Sequence, residues 1–170
     1  MAGGSGVSNV VFMSEPHPMP TRTPRRAALG LPLIALIGLA LLAAPRVPLH
    51  DLGIIEEGTF VNSLLVFVPP VIWVAVAVLK QVPNPLLTLL TIGFFYGVFL
   101  ALGHQILWTE SFGDDPPQLG GNLAGLDPTL EAVIIRSFAA VSSIFTGLIV
   151  GAISGLVAWG LSSYLERSRT

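Results

Sequence analysis

The chain has 170 residues, of which 52% are hydrophobic and 11% are charged, with a mean hydropathy of +0.78 and a formal net charge of −2. An ordinary soluble domain carries charge on about 25% of its residues, so this composition excludes a typical soluble fold and indicates an integral membrane protein. The sequence contains no cysteine, which excludes disulfides, thiolate nucleophiles and thiolate metal sites.

The N-terminal region over residues 1–26 is rich in Gly, Ser and Pro and is predicted to be a disordered tail, with Met13 as an alternative start. The apolar run over 27–44 follows a basic segment and predicts a first membrane-spanning helix of roughly 27 Å. A signal peptide has the same outline. Its cleavage site would carry the large Leu42 where a small residue is preferred, so we expect this helix to be retained.

The second apolar run, over 60–79, follows a polar connection over 45–59 and contains no charged residue. Pro69 and Pro70 lie at its centre and lack the amide hydrogen that a helix interior needs, so they predict a kink near the bilayer midplane. A broken helix at that depth can expose carbonyls to an ion. A bend that only fits the neighbouring helices is favoured here, because no ionisable residue accompanies the prolines.

The remaining sequence predicts two further spans. The third apolar run covers 86–108, and the fourth and longest covers 132–161. Between them, residues 109–131 are acidic, broken by Gly and Pro, and free of Lys and Arg, which is typical of an irregular loop. Residues 165–170 are predicted to form a short polar tail.

The distribution of Lys and Arg predicts the orientation of the chain. Four spans place both termini on one side, and that side holds the cations Arg22, Arg25, Arg26, Lys80, Arg167 and Arg169. The other side holds only Arg46 and Arg136. By the positive-inside rule both termini are cytoplasmic, and a bias of this strength argues against a dual-topology exporter.

Small residues spaced four apart, as in a glycine zipper, predict close helix packing. They are Gly93, Gly97 and Ala101 in the third run and Ser143, Gly147, Gly151 and Gly155 in the fourth. In lipid, such a stripe lets a second helix approach closely. We expect the two stripes to pack against each other within one chain, because sequence neighbours usually make contact; a contact between two subunits is the alternative.

Polar residues near the predicted outer ends of the spans form the candidate site: Asn62, His104, Gln105 and Arg136. The functional hypothesis is an outward-facing pocket, rimmed by Glu110 and Glu131, that holds an anionic ligand or a lipid headgroup. The structural interpretation has Arg136 reaching water or pairing with Glu131. In that interpretation His104 and Gln105 only form hydrogen bonds across helices. We favour the structural interpretation.

The sequence contains no recognisable catalytic, nucleotide-binding or metalloprotease motif, so we predict no enzyme activity and no cofactor. Asp114, Asp115 and Asp127 lack the spacing of an EF-hand loop, so no metal site is predicted. A few arginines on a short tail do not predict nucleic-acid binding.

The sequence therefore predicts an all-α bundle of four transmembrane helices over 27–164, embedded in a lipid bilayer. The predicted function is a non-enzymatic structural or accessory subunit that assembles through its Gly-rich helix faces, either with a membrane-protein partner or with itself. The alternative is a small oligomeric transporter or channel that uses the outward-facing pocket. A coupled carrier normally needs an ionisable residue deep in the membrane, and none is evident. Small size and compact loops favour a bacterial cytoplasmic membrane.

Overall fold

The structure, a computed structural model, describes residues 28–168, and every regular element among them is helical. The elements are α1 (Leu33–Leu41), α2 (Arg46–Asp51), α3 (Phe60–Leu79), α4 (Pro85–Ile106), α5 (Trp108–Phe112), a 3-10 turn (Gly121–Leu123) and α6 (Pro128–Arg167). Four segments are long and apolar enough to cross a membrane, namely α1 together with α2, then α3, α4 and α6. The predicted tail over 1–26, the alternative start at Met13 and residues 169–170 lie outside the described part.

The first span differs most from the sequence prediction, because its helix begins at Leu33 instead of residue 27. Gly30 adopts a positive φ of 66°, and Pro32 is extended, so the chain enters the helix only after both residues. The α-helix ends at Leu41, continues as tight turns, and resumes at Arg46. Arg46 therefore belongs to the first span and not to a polar loop.

α3 spans the predicted residues, 60–79, and its N-terminus is capped by Thr59, whose hydroxyl accepts from the Asn62 amide at 3.3 Å. The helix continues through Pro69, which is buried, and Pro70. The kink at these prolines stays a prediction.

α4 and α6 begin with strong N-caps. The Asn84 side chain accepts from the Leu87 amide at 3.0 Å, and Pro85 occupies the first helical position. The Asp127 carboxylate caps α6, which therefore starts at Pro128 instead of 132. With 40 residues, α6 is about 60 Å long, roughly twice the hydrocarbon thickness of a bilayer, so it extends past α4.

α4 is the central helix, because it contacts α1, α2, α3 and α6, and its contact with α6 is the most extensive in the bundle. Trp73 is fully buried beside it. The Trp73 indole donates to the Leu39 carbonyl at 2.8 Å and meets the Tyr96 ring edge to face, with centroids 5.9 Å apart. This closed apolar centre separates the two ends of the bundle.

Candidate functional site at the His104 end of the bundle

α4 and α6 approach each other so closely at their glycines that their backbones touch. A Cβ atom built on Gly97 would lie 2.7 Å from the Ile144 Cα, and one on Gly147 would lie 2.6 Å from the Gly97 Cα. Gly93 and Gly151 are equally close, because a Cβ built on Gly93 would lie 2.7 Å from the Gly151 Cα. The structure thus brings these four predicted packing residues together and fixes the register of α4 against α6.

The other predicted packing residues lie along the same seam. Ser143 is buried and donates its hydroxyl to the Ala139 carbonyl at 2.8 Å. A Cβ on Gly155 would lie 2.9 Å from the Leu86 Cα, so this glycine also faces α4. Ala101 is partly exposed at the opposite end of the stripe. The seam therefore ends just before the polar residues of α4.

Gln105 and Arg136 form a reciprocal pair between α4 and α6. The Arg136 Nε donates to the Gln105 Oε1 at 2.8 Å, its second nitrogen donates to the Gln105 carbonyl at 2.9 Å, and the Gln105 amide donates to the Arg136 carbonyl at 3.1 Å. The guanidinium also lies 5.3 Å from the centre of the Trp108 ring. Arg136 thus pairs with Gln105 and not with Glu131, which instead accepts from the Leu119 amide.

His104 binds a carboxylate that the sequence analysis assigned to a loop. Its Nδ1 lies 2.6 Å from the Asp51 Oδ2 at the end of α2, and the Asp51 side chain is only 8% exposed. His50 lies 3.5 Å from the other Asp51 oxygen and 3.4 Å from Glu57. A carboxylate at Nδ1 favours the proton on that nitrogen and fixes the ring, so the His104 Nε2 is left for other partners.

Asn62 belongs to a third cluster, with Arg46. The Arg46 Nε donates to the Asn62 Oδ1 at 3.0 Å, and the guanidinium also faces the Tyr96 hydroxyl. Asn62 and Tyr96 are each only 8% exposed, so this cation is held by neutral, buried groups. No carboxylate pairs with Arg46 among residues 28–168.

The four predicted polar residues consequently lie in three separate clusters, and the shared pocket was the alternative that the sequence analysis did not favour. The physical reason is helix geometry. Consecutive residues point about 100° apart, so His104 faces α2 while Gln105 faces α6. Glu110, predicted at the rim, lies exposed on α5.

A different cavity, of about 420 Å³, lies between α2, α4, α5 and α6, and we call it the His104 pocket. Its size is that of a small-ligand site. The polar lining comes from His50, Asp51, His104 and Ser111, together with hydroxyls of α6. Aromatic rings of α5 and α6, with Leu100 and Ala139, line the remainder. Of the predicted polar residues only His104 contributes, and its partners here were not singled out by the sequence.

Ser111 is the second group of interest in the His104 pocket. Its hydroxyl oxygen is enclosed and has no hydrogen-bond partner within the part of the chain that the structure describes. Enclosed hydroxyls are usually paired, so an unpaired one that lines a cavity calls for a partner from outside the chain. Ser111 and His104 both line the His104 pocket, so a hydroxyl without a partner and an imidazole lie at the same cavity.

The described region is a four-span helical bundle with a fixed α4–α6 seam and a pocket at one end. Across residues 28–168 no group of three or more His, Cys, Asp or Glu side chains could hold a metal ion. Comparisons with family models, curated proteins and solved structures give no match to this chain.

Proposed function

We propose that this chain is a non-enzymatic structural or accessory subunit of a membrane assembly, with both termini in the cytoplasm. The observation that supports the proposal best is the backbone contact between α4 and α6. Two helices held at that distance form a rigid unit, because neither can rotate or slide without a clash. A rigid unit is suited to positioning a partner.

The same contact changes where a partner can bind. The glycine faces, through which the sequence analysis expected assembly, are already covered within the chain. The opposite side of α6 carries a stripe of exposed apolar residues four apart, which we call the Phe145 face: Val141, Phe145, Ile149 and Ile153, each more than half exposed. We propose that a membrane helix of the partner, or of a second copy, covers the Phe145 face.

Because the chain has no cysteine, a single introduced thiol reports on its own surroundings. We expect Phe145→Cys, labelled in native membranes with a thiol-reactive photo-cross-linker, to yield a cross-linked adduct of fixed mass. Phe67→Cys on α3 is the matched control, since Phe67 is 67% exposed and Phe145 is 65% exposed. Equal cross-linking of the two variants, or none from Phe145→Cys in a protein that native mass spectrometry finds monomeric, would contradict the proposal.

A second candidate function, a small transporter, is favoured by the presence of a cavity at each end of the bundle. Besides the His104 pocket, a cavity of about 390 Å³ lies between the turn after α3 and the end of α6, lined by Gln81, Ser162 and Glu166 among others. The buried Trp73 and Ile92 fill the centre, so transport would require the helices to move apart.

Liposomes that enclose a pH-sensitive dye distinguish the two functions. As an accessory subunit, the reconstituted protein is expected to leave proton flux at the level of empty liposomes. A flux that His104→Ala abolishes, in a protein that still melts normally, would favour the transporter.

A further inference from the structure

We infer that the His104 pocket binds a single-chain amphiphile with a carboxylic acid head, such as a long-chain fatty acid. This goes beyond the proposed accessory function, which requires no ligand. The size of the cavity, the His104 and Ser111 side chains in its lining, and the charges around it favour this ligand.

The two polar atoms specify the head group. The His104 Nδ1 is engaged by Asp51, and the ring's Nε2 has no protein partner among the described residues; the enclosed Ser111 hydroxyl has none either. A carboxyl group carries a partner for each, because one of its oxygens can share a proton with a ring nitrogen while the other accepts from a hydroxyl that turns toward the cavity.

The charges that line the His104 pocket argue against a phospholipid headgroup. The lining contains one carboxylate, Asp51, and neither Arg nor Lys, within the described part of the chain. The two arginines at this end, Arg46 and Arg136, are bound to Asn62 and Gln105 and do not line the cavity. A phosphate would therefore lie near a buried carboxylate without a guanidinium, whereas a carboxylic acid can share its proton with His104.

The rest of the pocket suits an acyl chain. Trp108, Phe112 and Phe138 provide apolar walls, and Phe138 on α6 is 76% exposed, so the wall it forms borders the lipid phase. A hydrocarbon chain could enter from the bilayer without crossing water, and a cavity of about 420 Å³ is in the range of small-ligand sites.

Native mass spectrometry of the full-length protein in a neutral detergent tests the inference, with hexadecanoic acid as the probe and its methyl ester as the matched ligand. We expect one bound acid per chain and at least tenfold weaker binding of the ester, which lacks the acid proton and the charge. Ser111→Ala is expected to weaken binding of the acid about fivefold, as for the loss of one hydrogen bond. Because the Ser111 hydroxyl has no protein partner, this variant loses no hydrogen bond of the fold.

Two further variants complete the test. His104→Gln is expected to weaken binding of the acid at least tenfold, and its melting temperature shows whether the protein is still folded. Ser63→Ala, which removes a hydroxyl outside the pocket that bonds the Thr59 carbonyl, is expected to bind like the unmodified chain. Equal affinity for acid and ester, unchanged affinity in Ser111→Ala, or retention of phospholipid alone would each overturn the inference, whatever the outcome of the cross-linking experiment.

Discussion

Gly147→Ala is expected to lower the free energy of unfolding by about 3 kcal/mol, at the upper end of the usual range for overpacked cores. The added methyl carbon would lie 2.5 Å from the Gly97 nitrogen and 2.6 Å from its Cα. Both atoms are backbone, so no side chain can turn aside to make room. The helices must separate, and the contact along the whole α4–α6 seam weakens.

Gly160→Ala is the matched control, because Gly160 lies in the same helix and a Cβ there meets nothing within 4 Å. Alanine is the better helix former by roughly 0.5–1 kcal/mol, so Gly160→Ala should be neutral or stabilising. Thermal unfolding of both variants in mild detergent makes the comparison. Equal melting temperatures of the two variants would show that α4 and α6 pack less closely than they do in the structure. They would also favour the alternative that these glycines join two subunits.

Much of the fold could be predicted from local sequence signals. The run over 60–79 contains no charged residue, and its cap and length identify α3 without knowledge of any neighbour. Asn84 followed by Pro85 marks the start of α4 in the same way. The first span was harder, because Gly30 and Pro32 interrupt a sequence that is apolar throughout, and hydropathy does not register a change of backbone conformation.

The polar clusters could be predicted only in part, because their partners are far apart in the chain. The positions of Gln105 and Arg136 within their spans predicted that both lie at a similar depth in the membrane. The structure shows the two side chains hydrogen-bonded to each other. His104 and Asp51 are 53 residues apart, and Asp51 resembled one more acid in a polar loop. Only the continuation of the first span as α2 brings Asp51 over α4. The cytoplasmic location of both termini stays a prediction. It depends on the distribution of Lys and Arg, some of which lie outside the described residues.

Arg136→Ala is expected to lower the free energy of unfolding by about 2 kcal/mol. The variant loses two hydrogen bonds from a charged group to Gln105 and the contact with the Trp108 ring. Hydrogen bonds of charged groups contribute about 1.5–3 kcal/mol each in soluble proteins, but interhelical bonds in membranes average nearer 0.6, so the combined effect falls between these limits. Thermal unfolding in detergent measures it. Lys80→Ala, which removes an exposed cation, should leave the melting temperature unchanged.

Arg136→Lys and Gln105→Glu separate the two interpretations of this arginine. Lysine keeps the charge but cannot present two parallel N–H groups, so Arg136→Lys is expected to recover less than half of the lost stability. Gln105→Glu keeps the acceptor for the Arg136 Nε but loses the amide that donates to the Arg136 carbonyl, so only the bonds donated by the guanidinium should be retained. Full recovery with lysine would mean that Arg136 acts by reaching water, as a snorkelling cation does. If Arg136→Ala loses no stability, the guanidinium has no structural role, and the hypothesis that it binds an anion is favoured instead.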